Sequence, residues 1–273
     1  MAFSKTLVSD SVAARLIETQ ALYGKTNRSF DSLVRPGASS VDIPLLAIPT
    51  VKTNTGYALD GSDRVETKEN TTNVNVALTT YSVPLADEIL SQYESGGMLL
   101  DQYFQSAADV LTQYYDRLVM TEIISTTNKA AFAGASMAWA DIVGIAKALD
   151  LAKCPRNNRI LIVDANIADE WYAVDGVKAA LQYSEQMFGS GVKRFLDFDV
   201  YITGNAPTHT NSVGHSKYCI MGAYGPGIAS ILNRKMDIKS AWDTTNLREA
   251  IDCVSHFGCK LLANGYAAVK YKP

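Results

Sequence analysis

The sequence contains no long hydrophobic run and no hydrophobic leader at its beginning. The longest stretch with few charges, residues 130–140, is rich in small residues and is much shorter than the ~18–20 apolar residues that cross a bilayer. Residues 1–11 mix lysine, serine and aspartate with apolar side chains, so they lack the continuous apolar core of a signal peptide. We therefore expect a protein that has no transmembrane span and stays inside the cell.

Cysteine is scarce, with four residues in the chain, two of which form the pattern Cys253-x-x-His256-x-x-Cys259. A structural zinc ion takes four ligands, so Cys219 or His215 would have to complete the set from elsewhere in the chain. The spacing is less specific than paired C-x-x-C motifs and favours small buried thiols and a partly exposed imidazole in or beside a strand. We expect reduced, unpaired cysteines, with no metal and no cofactor.

Neither sign of charge is in large excess. The chain has 25 Lys and Arg against 28 Asp and Glu, a formal net charge of -3 and a pI near 5.7. A dedicated nucleic-acid-binding protein usually has a clear basic surplus, so this balance argues against sequence-specific DNA binding. With 47% hydrophobic and 19% charged residues, the chain can bury a sizeable core and is expected to be globular and water-soluble.

Motifs that would indicate an enzyme are also missing. The glycines at 189–191 and 222–225 complete neither a phosphate-binding loop nor a dinucleotide fingerprint, and no G-x-S-x-G elbow occurs. Asp197 and Asp199 could act as paired carboxylates, but residues two apart on a strand share one face, opposite Phe198 here. We interpret them as a solvated strand edge and keep a soluble α/β enzyme only as an alternative.

The first third of the sequence predicts an arm and a hairpin. Residues 9–22 have apolar side chains at helical spacing, which predicts a short amphipathic helix. Residues 26–40 hold Arg, Pro, Gly and Ser with little periodicity, which predicts an extended arm that needs a partner surface to stay ordered. Apolar residues then alternate over 41–45 and again over 74–83, which predicts the two strands of a long β-hairpin.

The segment between the two predicted strands is polar and carries charges of both signs. A two-stranded hairpin is marginal in water, and nothing obvious in the chain packs against it, so we interpret it as supported by a neighbouring chain. Charges of both signs at its end are suited to pairing with charges on a neighbouring subunit, which would fix the register between the two. The candidate intersubunit contacts are the charged residues of this tip: Asp60, Asp63, Arg64, Glu66, Lys68 and Glu69.

A long helix is predicted after Gly96-Gly97, because apolar residues recur at three- and four-residue steps over 98–126. At ~1.5 Å per residue it would span roughly 40 Å, about twice the usual length in a compact domain. The remainder predicts helices at 139–152 and 165–172, buried strands at 160–163 and 198–202, and further short strands at 218–221, 228–232, 250–255 and 267–271.

This order of elements resembles the major capsid proteins of tailed phages, which share the Hong Kong phage capsid fold with herpesvirus capsid floors and encapsulins. The hairpin is similar to the family's E-loop, the helix from Met98 to its spine helix, and the chain from Trp139 onward to its axial domain. Further matching segments are Arg159–Asp164 and Phe198–Thr203, which resemble the family's recurring strand pair, and residues 256–259 and 267–270, which resemble its closing strands.

The resemblance implies an α+β capsid fold with an N-terminal arm, a long E-loop hairpin, a long spine helix, a peripheral domain and an axial domain. The implied divisions are residues 1–40 for the arm with its short helix, 41–84 for the E-loop, 85–138 for the peripheral domain with the spine helix, 139–232 for the axial domain, 233–255 for the return to the peripheral domain and 256–273 for the closing strands.

The function implied is that of a structural, non-enzymatic major capsid protein, assembled in the host cytoplasm and located in the virion. Its partners would be other copies in hexamers and pentamers, a portal, possibly a decoration protein, and double-stranded DNA held by non-specific contact. The chain opens directly into the arm, so a separate scaffolding protein is implied, and no signature of a lysine–asparagine crosslink is identified. An encapsulin-like compartment shell, which packages a cargo enzyme, is the alternative with the same fold.

Overall fold

A computed structural model describes residues 22–34, 38–46, 71–88, 98–183, 194–210, 216–243 and 248–273. The predicted helix at 9–22, apart from its last residue, and the hairpin tip lie outside these residues. The described α-helices are α1 Met98–Ile124, α2 Trp139–Leu151, α3 Ala168–Ala173 and α4 Asp175–Tyr183. The strands are β1 Ser40–Leu46, β2 Thr71–Ala77, β3 Thr79–Glu88, β4 Lys129–Ala131, β5 Arg159–Asp164, β6 Arg194–Phe195, β7 Phe198–Thr203, β8 His209–Thr210, β9 Ser216–Lys217, β10 Cys219–Tyr224, β11 Ile228–Asp243, β12 Arg248–Leu261 and β13 Ala267–Tyr271.

Helix α1 confirms the predicted long helix and ends two residues earlier than expected. Its 27 residues give a length of roughly 40 Å. The spacing in the sequence runs through Leu111, Tyr114 and Leu118, but Tyr114 is 41% exposed and Leu118 is only partly buried. The buried face instead continues from Leu111 through Tyr115 and Val119. This face packs against strands of two different sheets, β12 on one side and β10 and β13 on the other. The helix therefore connects a six-stranded sheet, which contains β10 and β13, with a three-stranded sheet, which contains β12.

Six strands form a mixed sheet in the order β4-β13-β10-β5-β7-β6. Strands β5 and β7 run parallel, as do β4 and β13, and the other pairs are antiparallel. Every residue of β5 is buried, because α1 covers the face that carries Ile160 and Ile162 while α2 and α3 cover the face that carries Leu161 and Val163. Burial on both faces explains the uninterrupted apolar run in the sequence.

A second sheet has the antiparallel order β11-β12-β3. The predicted short strands at 228–232 and 250–255 are parts of much longer ones, with 16 residues in β11 and 14 in β12. Two register shifts between Leu232 and Asp237 interrupt the alternation of β11, so its sequence pattern reveals only the first segment. The predicted strand at 74–83 is divided at Leu78: β2 pairs with β1, and β3 pairs with β12 at the sheet edge, where Pro84 is tolerated.

The prediction that residues 26–40 need a partner surface is wrong for residues 26–34. Asn27 forms a bridge with Ala229 of β11, and the Leu232 amide donates a hydrogen bond to Asp31 Oδ1 at 3.0 Å. Just before this segment, the Leu22 amide donates to Asp116 Oδ1 of α1 at 3.3 Å. Polar contacts of this kind hold the segment on its own chain, and they leave no apolar periodicity in the sequence.

The loop between α2 and β5 is held by a buried arginine. The Arg159 side chain is 2% exposed and donates to Asp150 Oδ1 at 2.7 Å, to the Cys154 carbonyl at 2.6 Å and to the Pro155 carbonyl at 2.9 Å. The hydrogen bond from Arg159 holds the pKa of Asp150 below its ordinary value of 3.8. Asp150 therefore stabilises the folded state as a carboxylate.

Asp150→Asn should lower the free energy of unfolding by about 1 kcal/mol at neutral pH, a reduced value because the carboxylate is 40% exposed and partly screened by solvent. Since the folded-state pKa is depressed, this stabilisation is present above pH 3.8 and is lost as the pH falls through the folded-state pKa. Urea unfolding at neutral pH and at pH 3 should show the difference between wild type and variant shrinking in acid. Asp252→Asn, at an exposed position, is the control, and a pH-independent difference would contradict the assignment.

Candidate functional site

The base of the hairpin is the part of the candidate contact surface that the structure describes. Strands β1 and β2 pair antiparallel, with Val41 opposite Val76 and Ile43 opposite Val74, which confirms the predicted pairing. On the exposed face, Asn75 Nδ2 donates to Asp42 Oδ1 at 2.6 Å. All six candidate contact residues of the tip, at 60, 63, 64, 66, 68 and 69, lie outside the described residues, and their assignment stays a prediction.

The hairpin base is supported by its own chain. Val41, Ile43, Val76 and Leu78 form a separate buried cluster with two residues of β11, Ala229 and Ile231. The interpretation that nothing in the chain packs against the ribbon is therefore wrong for its base. Sequence reasoning missed Ala229 and Ile231 because they lie more than 150 positions further along the chain, and their alternation marks a buried face without indicating what covers it.

The other face of the hairpin base borders an open groove. Asn75 and Ala77 are exposed there, since side chains alternate between the two faces of a strand. The groove has a volume of about 240 Å³ and runs between the hairpin, helix α1 and the end of β12. Its remaining lining residues are Tyr81, Leu118, Thr121, Glu122, Gly258, Cys259 and Lys260. The base is thus packed on one face and open on the other.

The cysteine and histidine pattern lies on one strand, β12, in an arrangement that does not suit a shared metal. Cys253 and Cys259 are six residues apart, or roughly 20 Å along an extended chain. His256 lies on the opposite face from both, with Nδ1 3.0 Å from Asn233 Nδ2. Burial raises the pKa of Cys253 to about 11 and that of Cys259 to about 12, and all four cysteines of the chain are free thiols.

The two carboxylates considered for catalysis, Asp197 and Asp199, do not form a pair on one strand face. Asp197 is in the turn before β7 with φ 65°, and only Asp199 is on the strand, so the expected shared face is wrong. Asp199 Oδ2 accepts a hydrogen bond from Lys25 Nζ at 3.0 Å, and Phe198 is fully buried.

Gly222, one of the glycines considered for phosphate binding, lies beneath α2, where a Cβ would be 2.2 Å from Ile145 Cγ2. It therefore allows close packing between the helix and the sheet. Residues 189–191 lie outside the described residues.

No helix in the described residues has the length and apolar character needed to cross a membrane. Within the same part of the chain, no group of three or more His, Cys, Asp or Glu side chains is arranged to hold a metal ion.

No protein-family model and no curated protein matches the sequence. Solved structures, in contrast, match along almost the whole chain. A chain from Mycobacterium phage Che8 has a TM-score of 0.68 at 16% identity, over 92% of this chain and 91% of that one. A chain of the virus-like particle from Pyrococcus furiosus has a TM-score of 0.62 at 10% identity, over 97% and 98%. One from the capsid of the empty GTA particle has a TM-score of 0.63 at 10% identity, over 93% and 96%.

The chain has the Hong Kong phage capsid fold. The capsid fold accounts for the whole chain, because each match covers more than nine-tenths of both proteins. The α+β class is confirmed, and so is the pairing of Arg159–Asp164 with Phe198–Thr203 that the resemblance implied; the structure shows that these two strands run parallel. Identities of 10–16% explain why the likeness is visible in the fold while no sequence match is found.

Proposed function

We propose that this protein is the major capsid protein of a tailed phage, a structural protein without enzymatic activity. Copies of the chain assemble into hexamers and pentamers of an icosahedral head that encloses double-stranded DNA. The observation that carries the proposal is the full-length likeness to chains from a capsid and from a virus-like particle. The protein is then assembled in the host cytoplasm and ends in the virion.

The proposal includes a division of the chain into subdomains. We assign residues 41–84 to the E-loop, 85–138 and 233–255 to the peripheral domain, and 139–232 to the axial domain, with 1–40 as the arm and 256–273 as the closing strands. Strand β11 runs across the division at 232/233 and β12 across that at 255/256.

The hairpin supplies a physical reason for assembly. Its base packs against β11 through the buried cluster around Ile43, so the position of the base relative to the subunit is fixed. A two-stranded ribbon that extends beyond such a base is marginal by itself and is stabilised when another copy covers it. Summed over its neighbours, each subunit should bury far more than the ~1,600 Å² of a standard interface.

The remaining partners follow from the same proposal. We propose a separate scaffolding protein, a portal and, optionally, a decoration protein as partners of the assembled shell. We propose that the shell contacts packaged DNA non-specifically. Its net charge of -3 gives no general attraction to phosphates, so these contacts depend on local basic side chains.

Light scattering of the purified protein, with and without its scaffolding protein, tests the proposed function. We expect particles of many subunits; a monomer at every concentration with scaffold present would overturn it. The compartment shell remains the second candidate because a virus-like particle is among the matching structures. The contents of the particles separate the two, because a phage head contains double-stranded DNA and a compartment contains a cargo protein.

The charged tip provides a test of the predicted contacts. Reversing Arg64 and Lys68 together to Glu should leave the subunit folded and lower the yield of particles. Exposed ion pairs are worth only ~0–1 kcal/mol each, but the same contact recurs at every subunit of a closed shell and the small contributions accumulate. Salt should partly restore the yield, since it screens the new repulsion.

The matched control is the double reversal of Lys147 and Lys153, two exposed residues of the described chain, which changes the net charge equally. Circular dichroism of the unassembled subunit and particle yield at low and high salt are compared for both variants. If the tip variant unfolds, the tip packs on its own chain; if its yield equals that of the control, the contact lies elsewhere.

A further inference from the structure

The return strand of the hairpin passes to the three-stranded sheet at Leu78, which separates β2 from β3. Strand β3 pairs with β12 up to Thr79 opposite Phe257. The next position on β12 is Gly258, and Leu78, which would lie opposite, donates its amide hydrogen to the Ser39 carbonyl at 2.8 Å. The chain thus passes from one sheet to the other directly against Gly258.

Gly258 permits this crossing through its lack of a side chain. A Cβ at this position would lie 2.3 Å from the Ala77 carbonyl oxygen and 3.1 Å from the Ala77 carbonyl carbon. Both are backbone atoms of β2, so no rotation of a side chain could relieve the contact. The φ angle of Gly258 is outside the left-handed region, so the glycine is needed for space and not for backbone conformation.

The surroundings allow the hairpin to change its angle about this point. The buried cluster around Ile43 holds one face of the base, and the groove of about 240 Å³ borders the other face, next to Ala77 and helix α1. Relieving the contact from 2.3 Å to the 3.4 Å of an ordinary contact needs a displacement of about 1 Å at the crossing. The displacement grows with distance along the ribbon.

We propose that Gly258 is a positioning residue that sets the angle at which the hairpin leaves the subunit, and through it the curvature of the shell. This inference rests on the proposed function for its consequence in the particle, while the angle itself is a property of the isolated subunit. In a shell, each hairpin meets the next copy, so a change of angle repeated at every contact changes how the shell closes.

Gly258→Ala tests the proposal, with Gly222→Ala as the matched control. The control also places a methyl group at a crowded buried position, 2.2 Å from Ile145 Cγ2, but that position is beneath α2 and away from the hairpin. Ala77→Leu is a second test variant, since it fills the groove from an exposed position and leaves the backbone contact unchanged.

The first measurement is made on unassembled subunits, as the distance by pulsed electron paramagnetic resonance between spin labels at Asn73 of β2 and Gln113 of α1, both exposed. We expect the distance to shift by about 1 Å or more in Gly258→Ala, as the contact distances require, and to be unchanged in Gly222→Ala. An unchanged distance in Gly258→Ala would overturn the proposal. If that variant does not fold, Ala77→Leu tests whether the hairpin angle is set at this crossing, and an unchanged distance in it would overturn the proposal.

The second measurement is the diameter and yield of particles by electron microscopy. A changed diameter, or loss of closed particles, in the test variants together with wild-type particles from Gly222→Ala supports the role in curvature. Particles of wild-type size and yield from Gly258→Ala would overturn that role even if the label distance shifts. If the wild type forms no particles, the proposed function fails, and the label distances still decide whether Gly258 sets the hairpin angle.

Discussion

Ile43→Ala should abolish particle formation while most of the subunit stays folded. Ile43 is 1% exposed and lies in the buried cluster that mounts the hairpin on Ala229 and Ile231 of β11. Truncating a buried isoleucine to alanine costs about 2–5 kcal/mol. The cluster is separate from the two larger cores on either side of the six-stranded sheet. The variant therefore weakens the packing of the hairpin base against β11 and leaves those two cores intact.

The control for this prediction is Ile167→Ala. Ile167 is fully buried in the core between the six-stranded sheet and α2 and α3, so its truncation has a similar cost at a distance from the hairpin. Urea unfolding should report comparable losses of stability for the two variants, and electron microscopy should find particles only for Ile167→Ala. Normal particles from Ile43→Ala would mean that the packing of the hairpin base against β11 does not control assembly.

Tyr115→Ala should destabilise the whole subunit by about 3–5 kcal/mol, the usual cost of removing a buried aromatic side chain. Tyr115 is fully buried on α1, and its ring is stacked on Phe257 of β12 with centroids 4.6 Å apart. This contact joins the long helix to the three-stranded sheet, so its loss weakens the connection between the two sheets of the subunit.

Tyr115→Phe separates the ring from its hydroxyl group. It keeps the stacking on Phe257 and removes only the buried hydroxyl group beside Ser255, so a loss of no more than about 1 kcal/mol is expected. Denaturant unfolding of both variants measures the two contributions. A loss below 1 kcal/mol for Tyr115→Ala would show that α1 is held mainly by other contacts.

The elements with strong local patterns could be predicted from the sequence. Helix α1 has apolar residues at helical spacing over seven turns, and the all-buried strand β5 has an unbroken β-branched and apolar run bounded by turn residues. For these elements the length and period of the hydrophobic pattern indicate the type of element, although the spacing on α1 placed Tyr114 on the buried face where the structure has Tyr115. The order of such elements was enough to indicate the capsid fold, which the matching structures confirm.

Contacts between distant parts of the chain could not be predicted in the same way. The alternation at Ala229 and Ile231 gives no indication that Ile43 packs on them. The register shifts in β11 interrupt its alternation, so the sequence predicts only the first part of this strand. Residues 26–34 are held by the backbone of Asn27, by the side chain of Asp31 and by the packing of Phe30 and Val34, a combination that has neither helical nor strand periodicity. The charged residues of the hairpin tip stay a prediction, because their role depends on contacts that only an assembled particle contains.

Cryo-electron microscopy of particles formed by the purified protein tests the central claim most directly. We predict closed shells of hexamers and pentamers in which the hairpin of each copy, rising from the cluster around Ile43, lies across a neighbouring copy with its charged tip in contact. The absence of closed particles at every concentration with scaffold present, or particles in which each hairpin contacts only its own subunit, would contradict this account.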